Sequence, residues 1–407
     1  MESNMDFDKT QQGKQVVETN KSKTKKTWLI FLTIGIVSAI GGAICILVVF
    51  LMPSEVLPNI SFPSIPSIAD SEGIYSDLTG LELVSEEEKT APVYCIQTPN
   101  GTDGARPQAG LTEAGVVFEA IAEAGITRFA AIYQNPSSAV IGPIRSLRIY
   151  YLQWDTPFDC TIVHAGGSGD ALAAVQNGYK DLTENYTYMY RGTYGSRLWN
   201  NLFTTSSYLA QFSSDHGYNT SNIKGFNRMT PDEAEKDRID SGVLSQLVIT
   251  EPSDGDTSEI EVSVPNININ FGGWANFNVR YNYNPESNSY NRSYESGVSH
   301  DVYECPAENL GERNPEDVCA LRQLSPSVVV AMVVNEKRAS DNYHEDITTI
   351  GSGDVYIFQN GMALKGTWKK DSVADQIKFF GENGEEIPLV PGQTFVEAIP
   401  SYGSVEY

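Results

Sequence analysis

The chain has 407 residues, 41% of them hydrophobic and 10% aromatic, which is enough apolar material for two packed domains plus appendages and excludes wholesale disorder. Its formal charge of −24 excludes nucleic acid as a partner, since displacing counterions from phosphates takes a basic face. The charge is unevenly spread: residues 1–27 carry six lysines against four acids, net +2, leaving −26 on the rest, a division that fits a chain crossing a membrane.

Residues 1–27 are polar and read as a disordered cytoplasmic tail. Residues 28–52, WLIFLTIGIVSAIGGAICILVVFLM, hold 25 residues without a charge, long enough to span a bilayer as one helix. Lys21, Lys23, Lys25 and Lys26 precede that run, so the positive-inside rule places the N-terminus in the cytoplasm and the rest outside. A cleaved signal peptide would have a shorter apolar region and a small-residue cleavage site. Lipid attachment at Cys45 would call for a small residue before it, where Ile44 stands. An uncleaved membrane anchor is the better reading. Residues 53–75, with Pro53, Pro58, Pro63 and Pro66, form a semi-extended spacer.

Residues 76–252 read as an α/β domain. Val93 to Ile96 is its expected first strand. In VVFEAIAEAGITRFAAIY, strand residues flank Ala124-Gly125 and favour a hairpin over a helix; in either form Glu119 and Glu123 share a face and are neighbours. After the break at Gly142-Pro143, residues 145–153 are expected to be helical, with Arg145 and Arg148 one turn apart. A strand over 160–163, the turn His164-Ala-Gly166-Gly167-Ser168 and a helix over 170–177, stopped by Gly178, follow, with the helix N-terminus a possible seat for an anion. Thr204 and Thr205 are candidate caps for a helix from 206.

Residues 253–258, SDGDTS, mark a polar break, and 259–407 read as a smaller, mostly-β domain. Residues 328–334 and 354–358 are expected strands, and Asn360-Gly361 is a strong hairpin signal. His300-Asp301 reads as a polar pair in a surface loop. The face carrying Tyr281, Tyr283, Tyr290 and Tyr294, with Trp274, could stack on sugars or simply pack.

The segments ARPQAGLTEAGVVFEAIAEAGITRF, GPIRSLR, VHAGGS, GSGDVYIFQNGMALKGTWKKDS and LVPGQTFVEAIP, in that order, resemble the YerB family of bacterial envelope proteins. That family is described as lipoproteins with paired N- and C-terminal domains of unknown function. The resemblance spans roughly residues 78–400 and implies an extracytoplasmic α/β module followed by a β module. A transmembrane segment takes the place of a lipobox, and residues 303–320 look like an insertion. The family implies no settled activity.

Two kinds of chemistry can be drawn from these residues. Glu119 and Glu123 could act as an acid/base pair on a glycan, because neighbouring carboxylates split their pKa values. They could equally pair with Arg106, Arg128, Arg145 and Arg148, a cluster able to clamp a carboxylate or phosphate in bidentate fashion. His164, at the end of a strand, could serve as a base or orient a neighbour, with Ser146, Gly166, Gly167 and Ser168 completing a ligand seat. No G-x-S-x-G elbow surrounds Ser168. His164, His216, His300 and His344 are scattered without metal-ligand spacing, so neither a metal nor another cofactor is expected. Cys305 and Cys319 close a 15-residue loop and should form a disulfide outside the membrane. Cys95 and Cys160 could form a second bridge or remain buried thiols. The preferred expectation is a module that binds an anionic cell-wall component or an envelope partner. A cell-wall glycan hydrolase using Glu119 and Glu123 is the alternative.

Overall fold

In the computed structural model, residues 73–192, 200–241, 266–307 and 314–407 are described. The tail, the expected anchor over 28–52, nearly all of the spacer and the break at 253–258 lie outside these residues. No helix among the described residues is long and apolar enough to cross a membrane.

Short runs rich in Val, Ile and Phe form the central strands, because branched and aromatic side chains suit a pleated surface. In chain order the elements are β1 (Val93–Pro99), β2 (Val116–Glu123), β3 (Ile126–Gln134), α1 (Ile149–Asp155), β4 (Thr161–Val163), α2 (Gly169–Val175), β5 (Lys180–Leu182), α3 (Ser206–His216) and α4 (Pro231–Asp240). The second half supplies β6 (Asn266–Asn270), β7 (Val279–Asn284), β8 (Ser289–Tyr294), β9 (Val328–Val334), β10 (Gly351–Gln359), β11 (Met362–Lys370), β12 (Lys378–Gly381), β13 (Thr394–Pro400) and β14 (Ser404–Glu406). The first half is α/β and the second mostly β, as expected. Thr205 caps α3 by accepting from the Tyr208 amide. Asn360 and Gly361 take positive φ at the β10–β11 turn.

One mixed sheet runs in the order β12-β11-β10-β9-β13-β2-β3-β1-β4-β5 and so draws on both halves. The two halves meet where β13 lies parallel to β2, with Thr394, Phe395, Val396 and Glu397 opposite Val116, Val117, Phe118 and Glu119. As central strands, β2 and β13 are buried on both faces. One face packs on α1, α2 and α4, where Phe118 stacks on Trp154 at 5.4 Å between ring centres. The other face is covered by α3 and by a second sheet in the order β8-β7-β6-β14. Tyr281 and Tyr290 sit in that second interface fully buried, and Tyr294 nearly so; this face is therefore core and is closed to sugars.

Both cysteine pairs are bridged. Cys95–Cys160 ties β1 to the start of β4, and Cys305–Cys319 closes the loop between the paired strands Asp301–Glu304 and Ala320–Gln323.

Candidate anion-binding site

The β2–β3 hairpin turns on Ala124 and Gly125, at φ 51° and 77°. Its register pairs Ala120 with Arg128 and Ile121 with Thr127, then slips, so that Glu123 rather than Ala122 opposes Ile126. One extra residue reverses the alternation of side chains beyond it. Glu123 therefore joins the face of Ala120 and Arg128, while Glu119 stays on the opposite face with Thr127 and Phe129. This corrects the expectation that the two glutamates are neighbours: the sheet stands between them, and they have no partner in common.

Glu123 is gripped at both oxygens. Arg128 Nη2 donates to Oε1 and Arg148 Nη2 to Oε2, each at 2.6 Å. Burial alone would raise this carboxyl, but the two guanidinium charges outweigh it and hold it below its ordinary range. Arg128 also donates to Ser146 O at 2.8 Å and Arg148 to Leu147 O at 3.0 Å. The helix begins only at Ile149, with Arg148 as its cap, so residues 145–147 are not helical as the spacing suggested. Instead they lie beside the glycine turn: Ala165 N donates to Arg145 O, and Leu147 N to Gly166 O, both at 3.0 Å. The structure thus brings the GPIRSLR and VHAGGS motifs together through their backbones.

Arg145 differs from its two neighbours. Its guanidinium has no hydrogen bond or ion pair among the described residues, and its Nε is buried without a partner. Burial, and next the charge of Arg128, push its pKa down, as expected for a cation held partly out of water beside others. Three guanidinium groups thus lie around the Glu123 carboxylate, and Arg145 also feels the charge of Asp103.

His164 is buried and turned away from this cluster. Its Nε2 meets Asp181 Oδ1 at 2.9 Å and its Nδ1 meets Gly166 O at 2.7 Å, so the ring orients the glycine turn. Gly166 takes φ 68°, and a Cβ on Gly167 would come within 3.1 Å of Leu147 O, which is why the turn needs small residues. Ser168 caps α2 through its backbone; its hydroxyl is buried and has no partner among the described residues. Arg106 is also occupied elsewhere, donating to Asn100 Oδ1 at 2.8 Å and to Asn276 O, with its guanidinium 3.7 Å from the Tyr294 ring centre.

Glu119 belongs to a network that spacing did not reveal. Fully buried, it accepts from Asn100 Nδ2 at 2.9 Å, from Thr127 Oγ1 and from Arg292 Nη2. Arg292 Nε donates to Tyr281 Oη at 2.9 Å and its Nη1 to His300 Nδ1, and Tyr281 in turn donates to Glu397. Burial, followed by the Glu119 charge, pushes the Glu397 carboxyl well above its ordinary range. Burial and Arg292 push His300 down, so its ring is neutral, accepting at Nδ1 and donating from Nε2 to Gln108 Oε1 at 3.0 Å. His300 is therefore core, not a surface loop residue, and Asp301 begins a strand. The signal for Glu397 was present in the repeated string F-E-A-I of β2 and V-E-A-I of β13. Each places one acid in an apolar strand.

A cleft of about 680 Å³ opens at the bulged end of the hairpin. Glu123, Arg128 and Arg145 form one wall, and Trp274, Phe277 and Tyr343 another. Asp103 adds a second carboxylate to match the two arginines, and Thr102 and Asn276 add exposed polar groups, whereas Asn100 and Thr127 are buried against Glu119 and Asn200 against Asp103. Among the described residues no three His, Cys, Asp or Glu side chains are grouped to hold a metal ion.

Residues 78–219 match the family described as "Protein of unknown function (DUF3048) N-terminal domain", and residues 267–396 match its C-terminal domain. Over 324 residues the chain is 25% identical to "Putative lipoprotein YerB" of Bacillus subtilis (strain 168), covering 79% of this chain and 85% of that protein. The crystal structure of the YerB protein from Bacillus subtilis superposes with a TM-score of 0.62 at 21% identity, over 82% of this chain and 100% of the other. At that identity the likeness establishes the fold alone.

Proposed function

We propose, for a chain that belongs to the DUF3048 family, that it binds an anionic component of the cell envelope through Arg145, with Arg128 beside it. The observation that carries this reading is the half-buried Arg145 guanidinium, which lines an open cleft and has no hydrogen bond or ion pair among the described residues. Arginine presents a planar fork that matches a carboxylate or phosphate, and removal from bulk water strengthens the pairing. The relative named as a lipoprotein, together with the uncharged run 28–52 behind its lysines, supports an extracytoplasmic position at the membrane surface. On this reading residues 28–52 form the anchor and the described residues lie outside the cell. The glycan-hydrolase alternative, which uses Glu119 and Glu123, finds less support: the Glu123 carboxyl is held below its ordinary range by two arginines, and Glu119 is enclosed on the other face of the sheet.

The test is co-sedimentation of the full chain with purified sacculi. Arg145→Ala is expected to weaken retention about 10- to 100-fold, the size of one charge-assisted contact of about 1.5–3 kcal/mol. Equal retention of the variant would reject the proposal.

A further inference from the structure

The cleft has a second wall that an anion alone leaves unused. Trp274 is 65% exposed and Tyr343 56%, although both are large aromatic residues. The Trp274 ring is nevertheless held in place: its Nε1 donates to Ala124 O at 2.8 Å. Gly125, at φ 77°, lets the indole approach, since a Cβ there would stand 2.9 Å from Trp274 Cδ1. An anchored, solvent-facing indole is suited to receive a flat, weakly polar ring face. The rest of the accessible lining is polar, with Thr102, Asp103 and Asn276, groups that match hydroxyls and would be wasted on an acyl chain.

From this juxtaposition we infer that the ligand is an acidic saccharide, its pyranose ring on Trp274 and its carboxylate on Arg145. The ring covers the exposed indole, the carboxylate meets the guanidinium that lacks a partner among the described residues, and Thr102, Asp103 and Asn276 meet the hydroxyls. This assignment rests on the anion-binding reading and narrows it to one class of ligand.

The experiment is isothermal titration of the full chain with four probes: N-acetylmuramic acid, glucuronic acid, N-acetylglucosamine and lactate. Both acidic sugars should bind at least about 10-fold more tightly than the neutral sugar or the ringless anion, since each lacks one of the two contacts. Arg145→Ala and Trp274→Ala should each remove about 10-fold or more of that affinity. Trp274→Phe keeps an aromatic face and should retain part of it, which separates loss of stacking from local unfolding. Lactate binding as tightly as N-acetylmuramic acid, and indifferent to Trp274→Ala, overturns the saccharide assignment while leaving anion binding in place. Arg145-dependent retention on sacculi with no response to either acidic sugar overturns it in the same way. Tight binding of N-acetylglucosamine that ignores Arg145→Ala overturns both readings.

Discussion

At the scale of single residues, the position that most constrains the molecule is Arg292, fully buried among Glu119, Glu397, Tyr281 and His300. A buried guanidinium is tolerated only where its charge is matched and its donors are used. Here Glu119 supplies the charge, while Glu397 is kept protonated and His300 neutral, so the set closes without surplus charge. Arg292→Met leaves Glu119 enclosed without a counter-charge and is expected to cost about 3–5 kcal/mol. Adding Glu119→Gln to that variant removes the stranded charge and should recover part of the loss. Urea unfolding of the two single variants and the pair would measure the coupling. Additive losses would show that the ion pair does not hold the site together. The Glu123 set answers a different requirement, because it lies at the rim of a cleft and keeps one arginine, Arg145, without a partner among the described residues.

At the scale of elements, the paired strands Glu336–Arg338 and Glu345–Ile347 carry an acid whose protonation tracks pH. Glu336 is buried; Tyr402 donates to its Oε1 at 2.7 Å, and its Oε2 has no partner. Burial, reinforced by Glu345 and opposed by the Tyr402 hydrogen bond, raises its pKa from 4.5 to about 7. Between those values the folded chain keeps a proton that the unfolded chain releases, so this group's contribution to stability falls as pH rises through the window. Glu336→Gln should flatten that slope and raise stability at pH 8 by up to about 3 kcal/mol, read from thermal melts across pH 4 to 8. An unchanged slope would mean the carboxyl is hydrated. The disulfides belong to this scale too. By loop-closure entropy, the Cys95–Cys160 bridge, with a separation of 65 residues, should contribute about 4 kcal/mol, against about 3 for the 14-residue separation of Cys305–Cys319. Paired Cys→Ala variants and their melting temperatures would rank them, and the reverse order would point to strain relief or residual unfolded structure instead.

The elements also show what could be read from sequence. The β2–β3 hairpin, the α3 cap, the Asn360-Gly361 turn and the β-rich second half follow from local periodicity and turn chemistry, which sequence carries directly. The motifs that crowd polar residues into apolar runs pointed to Arg128, Arg145 and Arg148, and these do meet. What escaped was non-local or one residue wide. The bulge at Glu123 parts it from Glu119, and no period-two count registers a single inserted residue. Arg292 and Glu397 lie 173 and 278 positions beyond Glu119 and reach it only once the sheets are assembled. The spacing of Arg145 and Arg148 suggests a helix from 145, but residues 145–147 bond to the glycine turn and α1 starts only after them.

At the scale of the whole molecule, two regions that match separate family domains share one sheet, and this governs how the chain folds. The joint is the parallel pairing of β13 with β2, which sets Glu397 beside Glu119 at the seam, with Arg292 reaching in from the covering sheet. A chain cut at residue 258 would keep β1 to β5 but expose the fully buried β2 as an edge, with Val116, Val117 and Phe118 uncovered and Glu119 unpaired. Such an edge invites pairing with other chains, and the stranded carboxylate adds several kcal/mol of cost. The fragment should therefore be aggregated or unfolded when made alone, and should become soluble when the remaining residues are co-expressed. The intact chain should lose far-ultraviolet circular dichroism and tryptophan fluorescence in a single urea transition, since Trp154 and Trp368 report on the two sides of the seam. Two separated transitions, or a monomeric and folded N-terminal fragment, would show that the seam is a docking contact between independent domains. In that case the β13–β2 pairing would be an assembly step and not the centre of the fold.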